Sequence, residues 1–353
     1  MTTLTPNSSH SAASNPMQGI SCVLIAMIFF VTQDVLMKTL LDTYPIWMLL
    51  FIRSLVTAII LVPLILYLGG DHRLLSPLWP IHLVRGALFV AGFAMFYTAF
   101  PFMGLAEVTT IFFSAPLFTA ILAAVWLKEQ IGPHRIGALL LGFIGVVIAM
   151  NPAGDGFSWI AILPLTCAIS YAMMQVLARQ IGDRETSLTV GLNTLGVAGI
   201  LILPVGWLVN QLITPGPDFP HLRLAFPLDR VQDIPQLLLL ALVGMVGWVL
   251  LSRAYQVASA SLVAPFDYTY LPLAALVAYL LFDEVPAGST LIGMALIIIG
   301  GLYLGYRELK AVQTTDDPAL VAEGLYAPGN PIPPHTTDDD LVHKDRPDDG
   351  RTE

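Results

Sequence analysis

Residues 45–68 read PIWMLLFIRSLVTAIILVPLILYL, and Arg53 is the single charged side chain in this run. About 20 consecutive apolar residues are needed to cross the hydrocarbon core of a bilayer as an α-helix. The run therefore predicts a transmembrane helix with one charge inside it. Gly69 and Gly70 follow directly and mark the turn that ends it.

The composition of the whole chain agrees with this local reading. Hydrophobic residues make up 56% of the sequence and charged residues 12%, with a mean hydropathy of +0.75. A soluble domain carries about 25% charged residues, so this chain lacks the charge to cover a water-facing surface. Continuous apolar runs predict helices, whereas a membrane barrel needs short alternating segments. Ten runs are found, at roughly 18–39, 45–68, 81–100, 105–126, 135–150, 157–178, 188–209, 234–254, 261–282 and 289–306.

Charge is concentrated in one tail. The net charge is −9, and residues 311–353 hold ten acidic and three basic residues. This acidity suggests no nucleic-acid partner. A segment so rich in Asp and Pro cannot bury enough apolar surface to fold alone, so residues 311–353 are predicted to form a disordered acidic cytoplasmic tail. Residues 1–17 are predicted to be a short N-terminal cytoplasmic tail.

Basic residues in the loops predict the orientation, because cytoplasmic loops carry an excess of Lys and Arg. With the N-terminus inside, three basic residues lie outside: Lys38, Arg223 and Arg230. The inner side receives Arg73, Arg85, Lys128, Arg135, Arg179, Arg184, Arg253, Arg307 and Lys310. The pattern predicts a multi-pass protein of the cytoplasmic (inner) membrane with both termini in the cytoplasm.

The sequence repeats itself once. A shift of 141 residues aligns Asp34 with Gln175 and Lys38 with Arg179, and a shift of 155 aligns Glu129 with Glu284. The long loop 210–233 explains the change of shift. Residues 18–155 and 156–310 are therefore predicted to be two five-helix repeats, and five is an odd number, so the second repeat is inverted. Inverted repeats with a site at their interface are typical of secondary transporters. A channel-like facilitator for small polar solutes is the alternative.

A family resemblance is carried by residues 104–118, GLAEVTTIFFSAPLF, and by residues 126–129, WLKE. These segments resemble the drug/metabolite transporter superfamily, and more narrowly its EamA type. The glycine-rich span 137–150 continues the resemblance, and the second half repeats it more weakly up to residues 282–284, FDE. The resemblance covers residues 18–306. It implies an all-α membrane protein with ten transmembrane helices in two inverted repeats, around a central cavity that opens alternately to each side.

Within that superfamily, the first half is similar to the branch that includes S-adenosylmethionine and riboflavin carriers. Asp34, Lys38 and Glu107, which precedes the run 112–116, carry this similarity. The resemblance implies a small organic metabolite as substrate: riboflavin-, S-adenosylmethionine- or amino-acid-like.

Charged side chains inside the spans are the first candidates for function, since each costs about 2.5–3.5 kcal/mol on insertion scales. Arg53 lies about 12 Å into its span at the helical rise. It is predicted to line the cavity or to pair with an acid such as Asp34. Asp34 and Lys38 are spaced for a local helical ion pair, so Asp34 is either structural or a coupling residue. Asp267 has no local partner in the sequence and is the better candidate for a proton-binding, coupling carboxylate.

Aromatic and polar side chains complete the predicted site. Phe89, Phe93, Phe96, Tyr97 and Phe100 share one helical face, which could stack a flat ligand or pack as core. Pro116 and Pro272 are aligned by the repeat and predict helix kinks. The residues assigned to substrate binding are Arg53, Phe93, Tyr97, Phe113, Tyr171, Gln175, Asn193, Trp248 and Tyr268.

No catalytic motif is found. The sequence lacks His-Glu-x-x-His, Gly-x-Ser-x-Gly and a phosphate-binding Gly-rich loop. We therefore expect no enzyme activity, no cofactor and no metal site. The expected partners are a small-molecule substrate, protons as a candidate coupling ion and the lipid bilayer, with a homodimer as a candidate assembly.

Asp267 generates a prediction. If its carboxylate binds the coupling proton, Asp267→Asn abolishes the dependence of transport on a pH gradient, because the amide cannot be protonated. Uptake into vesicles with and without an imposed gradient measures this. Unaltered coupling in the variant rules out that role.

Overall fold

Long apolar helices make up nearly all of the described chain. The computed structural model describes residues 16–70, 72–126, 133–151, 159–181, 184–213, 215–216, 219–227, 230–258 and 263–314. The predicted tails 1–17 and 311–353 fall largely outside the described residues, as do the 155/156 repeat boundary and Glu129.

Among the described residues, the first half has six helices: α1 Pro16–Leu41, α2 Ile46–Leu68, α3 Trp79–Thr98, α4 Leu105–Phe112, α5 Ala115–Trp126 and α6 Pro133–Met150. The second half comprises five: α7 Ile162–Ile181, α8 Ser187–Ile213, α9 Ile234–Val257, α10 Tyr270–Phe282 and α11 Gly288–Thr314. Short 3-10 segments precede α7, α9 and α10 and lie between α8 and α9.

These helices confirm the predicted fold class. Nine segments of the described chain are long and apolar enough to cross a membrane, and α4 with α5 forms one of them. The apolar helix 136–150 is shorter and supplies the tenth segment. Many large apolar side chains on the outer surface are exposed, such as Ile59, Leu66 and Ile200. That surface fits a lipid environment rather than water.

Helix breaks stand beside both predicted kink prolines. The ring of a proline clashes with the carbonyl four residues earlier and removes one backbone donor. The α4–α5 break falls at residues 113–114, just before Pro116. In α10, the 3-10 segment Ala264–Thr269 gives way to α-helix immediately before Pro272. Both prolines therefore lie in the first turn of the helix that follows a break, where the missing backbone donor is tolerated.

The helices pack mainly across the two halves. The most extensive contacts join α6 to α11, α1 to α9, α3 to α7 and α8, and α2 to α8. Glycines allow the closest approach. A Cβ at Gly145 would lie 2.8 Å from the Gly293 carbonyl oxygen, nearer than side chains tolerate, so α6 and α11 touch backbone to backbone.

The loop between α8 and α9 folds back over the ends of α2 and α8. The Trp47 indole donates to the Leu222 carbonyl at 2.8 Å, and Asn210 donates to the same oxygen at 2.9 Å. Within this loop the buried His221 ring lies against Phe102 and Phe219, with centroid distances of 5.8 and 5.9 Å. Its Nε2 has no hydrogen-bond partner among the described residues. Burial lowers the pKa of His221 below its ordinary value of 6.5.

His221 therefore makes stability depend on pH. The folded loop favours the neutral ring, so this contribution is present above about pH 6.5 and is lost as the pH falls below it, because the unfolded loop binds the proton more readily. We expect the melting temperature of the purified protein to fall less between pH 7.5 and 5.5 in His221→Phe than in the wild type.

The exposed His134 provides the control. His134→Asn should keep the wild-type pH dependence of the melting temperature. The same fall in His221→Phe as in the wild type contradicts the assignment.

Candidate functional site

A small cavity lies between the two halves. Helices α1, α2 and α3 of the first half face α8 and α9 of the second half around a volume of about 40 Å³. Its polar lining residues are Gln33, Arg53, Ser54 and Thr57, and its aromatic lining residues are Phe30, Phe89, Phe93 and Trp248. The cavity thus combines one cation, several small polar groups and an aromatic wall.

The Asp34 carboxylate is the centre of the hydrogen-bond network beside this cavity. Asp34 is 1% exposed. Its Oδ2 accepts from the Tyr270 hydroxyl at 2.6 Å, and its Oδ1 accepts from the Tyr97 hydroxyl at 3.2 Å and from Gln33 Nε2 at 3.3 Å. Tyr270 belongs to the second half, so this one carboxylate joins helices of both halves.

Arg53 connects the cavity to that network. Its Nη1 donates to the Tyr97 hydroxyl at 3.0 Å, and its guanidinium lies 5.9 Å from the centre of the Phe89 ring. The predicted pairing of Arg53 with Asp34 is therefore indirect, because Tyr97 stands between them. The positive charge of Arg53 still acts on Asp34 through space.

Two buried oxygens at the cavity lack partners. Gln33 Oε1 and Ser54 Oγ have no hydrogen-bond partner among the described residues, although both side chains are more than nine-tenths buried. An unpaired buried polar atom costs about 1–3 kcal/mol. Both residues line the cavity, so a polar ligand there would satisfy them.

The aromatic face of α3 packs as a continuous cluster. Phe93 lies 4.7 Å from Phe89 and 6.1 Å from Tyr97, and Phe96 lies 5.1 Å from Phe112, measured between ring centres. Phe89 and Phe93 border the cavity, whereas Phe96 is buried behind it. The stripe thus contributes both core packing and one wall of the cavity.

The other predicted site residues lie farther from the cavity. Phe113 stacks on Tyr270 at 5.5 Å and approaches Tyr268 at 5.8 Å. Gln175 Nε2 donates to the Tyr171 hydroxyl at 3.2 Å, and that ring contacts Phe112. Neither pair lines the cavity.

Asn193 and Asp267 are also elsewhere. Asn193 Oδ1 accepts from the Ser76 backbone N–H at 3.1 Å, near the end of α3 opposite to Tyr97. Asp267 is buried in the 3-10 segment before α10. Of the predicted set, the structure brings Asp34, Arg53, Phe93, Tyr97 and Trp248 together.

An ion pair joins the halves on one side of the cavity. Lys38 pairs with Glu284, and Lys38 Nζ also donates to the Met103 carbonyl at 3.3 Å. Glu284 Oε2 accepts from the Leu105 backbone N–H at 2.8 Å. The expected Asp34–Lys38 ion pair is therefore absent among the described contacts, because each side chain has a better placed partner on another helix.

A second polar cluster joins the halves on the other side. His82 Nε2 lies 2.9 Å from Glu185 Oε2, and both side chains are 1% exposed. The Ser76 hydroxyl also contacts Glu185, and His82 Nδ1 lies 3.3 Å from the Thr194 hydroxyl. The helical rise separates His82 from Tyr97 by about 22 Å along α3.

Sequence reasoning missed several of these partners. No site role was assigned to Tyr270, Gln33 or Ser54 from the sequence. Gln33 adjoins Asp34 and Ser54 adjoins Arg53, so polarity next to a buried charge was the available signal. The His82–Glu185 pair spans the two halves and left no local pattern.

A bundle of apolar helices in two halves, enclosing a polar and aromatic cavity, defines a multi-pass membrane transporter. Comparison with known families specifies it further. The EamA-like transporter family matches residues 17–151 and again residues 158–306, and the chain belongs to this family.

Curated relatives point to metabolite transport. The S-adenosylmethionine uptake transporter of Rickettsia bellii is 28% identical over 294 residues, covering 83% of this chain and 95% of the relative. The riboflavin transporter of Vibrio cholerae is 28% identical over 266 residues, covering 73% and 82%. These names support a small-metabolite transporter and agree with the predicted branch.

A solved structure supports the fold. One crystal structure aligns with a TM-score of 0.57 over 84% of this chain and 99% of its own, at 18% sequence identity. At that identity the likeness establishes the fold alone.

Proposed function

We propose that the protein is a secondary transporter that moves a small organic metabolite across the cytoplasmic membrane by alternating access. The observation that carries this proposal is the cavity between the two halves, which is lined by a cation, by an aromatic wall and by two oxygens that have no hydrogen-bond partner among the described residues. A site at the interface of two repeats is where transporters of this architecture bind their substrates.

The cavity lining favours a ligand with a flat or apolar body and a negatively charged group. Arg53 offers a guanidinium to an anion, and Phe89, Phe93 and Trp248 offer ring faces. Riboflavin-, S-adenosylmethionine- and amino-acid-like metabolites are the classes to test. The first two are what the relatives are named for.

Alternating access is supported by the contacts at the two ends of the cavity. The Lys38–Glu284 pair lies on one side and the His82–Glu185 pair on the other, and each joins the first half to the second. Ligand pockets usually measure about 300–1,000 Å³, far more than the 40 Å³ of this cavity. A metabolite would therefore enter by separation of one of these contacts while the other persists.

The predicted repeats and orientation fit this scheme. With residues 18–155 and 156–310 as inverted repeats and both termini in the cytoplasm, the Lys38–Glu284 contact faces outward and the His82–Glu185 contact faces the cytoplasm. Asp34 is the coupling carboxylate that adjoins the cavity, and protons are the proposed coupling ion. Asp267, the better candidate from the sequence, lies in the 3-10 segment before α10 and is proposed as the alternative coupling carboxylate.

Replacement of Arg53 tests the site. We expect Arg53→Ala to weaken the apparent affinity for an anionic substrate by about ten- to a hundredfold, because a charge-assisted hydrogen bond contributes about 1.5–3 kcal/mol. The measurement is counterflow in vesicles that contain the purified protein, with labelled S-adenosylmethionine, riboflavin and amino acids.

Arg223 provides the matched control, since it is an exposed arginine of the α8–α9 loop. Arg223→Ala should exchange substrate like the wild type. If no compound of a broad panel exchanges while ions or water pass without saturation, the protein is a channel and the transporter proposal fails.

A further inference from the structure

A chain of two hydrogen bonds beside the cavity runs from Arg53 to Asp34. Arg53 lines the cavity and donates through Nη1 to the Tyr97 hydroxyl at 3.0 Å. That hydroxyl donates its own hydrogen to Asp34 Oδ1 at 3.2 Å. Tyr97 is fully buried and Asp34 is 1% exposed, so neither bond competes with bulk water.

Tyr97 is the middle residue of this hydrogen-bond chain. A tyrosine hydroxyl has one hydrogen to donate and can accept as well. Here it accepts from Arg53 and donates to Asp34, so the two charges are held through one oxygen. Gln33 reinforces the bridge, because its Nε2 lies 3.3 Å from both the Tyr97 hydroxyl and Asp34 Oδ1.

We infer that Tyr97 couples the occupancy of Arg53 by a carboxylate of the substrate to protonation of Asp34. This inference rests on the proposed function and adds the substrate group and the coupling route. Tyr97 is a positioning residue in this scheme: the substrate carboxylate binds to Arg53, and the proton binds to Asp34.

The physical basis is charge compensation. While the cavity lacks an anion, the Arg53 charge and the Tyr97 hydrogen bond both favour Asp34 as a carboxylate, against the burial that disfavours its charge. A substrate carboxylate that pairs with Arg53 turns the guanidinium away from Tyr97 and neutralises its charge. The Tyr97 hydroxyl then no longer accepts from Arg53, and Asp34 takes up one proton from the aqueous phase to become a neutral acid. No other covalent change is involved, and the pair of buried negative charges is avoided.

Other groups near Asp34 do not replace this route. From the surrounding helices, Tyr270 of α10 donates to Asp34, and Cys167 of α7 lies within electrostatic reach of it. Lys38 lies one turn along α1 and pairs with Glu284. Arg253 of α9 is exposed, and Asp267 belongs to the neighbouring 3-10 segment. Among these described contacts of Asp34, the hydrogen bond from Tyr97 is the one that continues to Arg53, the cation that lines the cavity.

The inference can be measured through thermodynamic linkage. If bound substrate raises the affinity of Asp34 for a proton, then a proton on Asp34 raises the affinity for the substrate by the same factor. In the full-length wild type, we expect the half-saturation concentration for S-adenosylmethionine, which has a carboxylate, to fall at least fivefold from pH 7.5 to pH 5.5. Such a factor is typical of coupled sites, which reach about 5- to 150-fold. Riboflavin, which has no carboxylate, should change less than twofold.

Tyr97→Phe removes the hydroxyl and keeps the packed ring. We expect the half-saturation concentration of this variant for S-adenosylmethionine to fall less between pH 7.5 and pH 5.5 than that of the wild type, because the hydrogen-bonded link is lost and only the through-space effect of Arg53 on Asp34 remains. A pH gradient should drive less accumulation in this variant than in the wild type. Tyr270→Phe removes a donor to Asp34 but leaves the contacts of Arg53 in place. The half-saturation concentration of this variant for S-adenosylmethionine should still change at least fivefold with pH, over a pH range that is shifted from that of the wild type.

The outcomes separate the two proposals. Absence of saturable exchange of any substrate in the wild type overturns the transporter proposal itself. Exchange in which Tyr97→Phe keeps the wild-type pH dependence overturns the role of Tyr97 alone. If Tyr97→Phe does not fold, the wild-type comparison decides, because an equal pH response for S-adenosylmethionine and riboflavin contradicts the coupling.

Discussion

The burial of the Asp34 carboxylate within the membrane-spanning part of the chain constrains the arrangement of the helices around it. A charge at bilayer depth costs about 2.5–3.5 kcal/mol on insertion scales and needs hydrogen-bond donors close by. Tyr97 of α3, Gln33 of α1 and Tyr270 of α10 supply them. Because the donors come from both halves, the halves must meet at this carboxylate, and the cavity lies beside that meeting point. Gly244 of α9 completes the approach, since a Cβ there would collide with the Gln33 amide.

The polar contacts at the two ends of the cavity follow the same principle. Lys38–Glu284 and His82–Glu185 each join one half to the other, and their side chains are largely or fully withdrawn from solvent. Between them, Tyr270 of the second half donates to Asp34 of the first, and much of the other packing across the halves is apolar, as where α6 meets α11 at Gly145 and Gly293. The buried polar contacts described above thus lie on the two sides of the cavity and at Asp34 beside it. This distribution suits a molecule that exchanges contacts at one end while the centre holds its ligand.

The helices could be predicted from the sequence because transmembrane helices depend on local composition. The run 45–68 and the observed α2 differ by one residue at the start. The break at residues 113–114 follows from Pro116 in the same way. The partners of charged residues could not be predicted, because they depend on which helices adjoin. The spacing of Asp34 and Lys38 suggested a local ion pair. In the folded protein Asp34 accepts a hydrogen bond from Tyr270, and Lys38 pairs with Glu284. Asn193 was assigned to substrate binding because it adjoins Thr194, which the repeat aligns with Arg53, and its side chain accepts from the Ser76 backbone N–H.

The most direct test of the central claim is the accessibility of the cavity from each side of the membrane. Ser54→Cys, in a protein whose Cys22 and Cys167 are replaced by Ala, is treated with a membrane-impermeant maleimide in right-side-out and in inverted vesicles. The account predicts labelling from both sides that an exchanged substrate suppresses, while the buried control Thr290→Cys stays unlabelled. Labelling from one side only, or labelling that substrate leaves unchanged, would contradict an alternating-access site between the two halves.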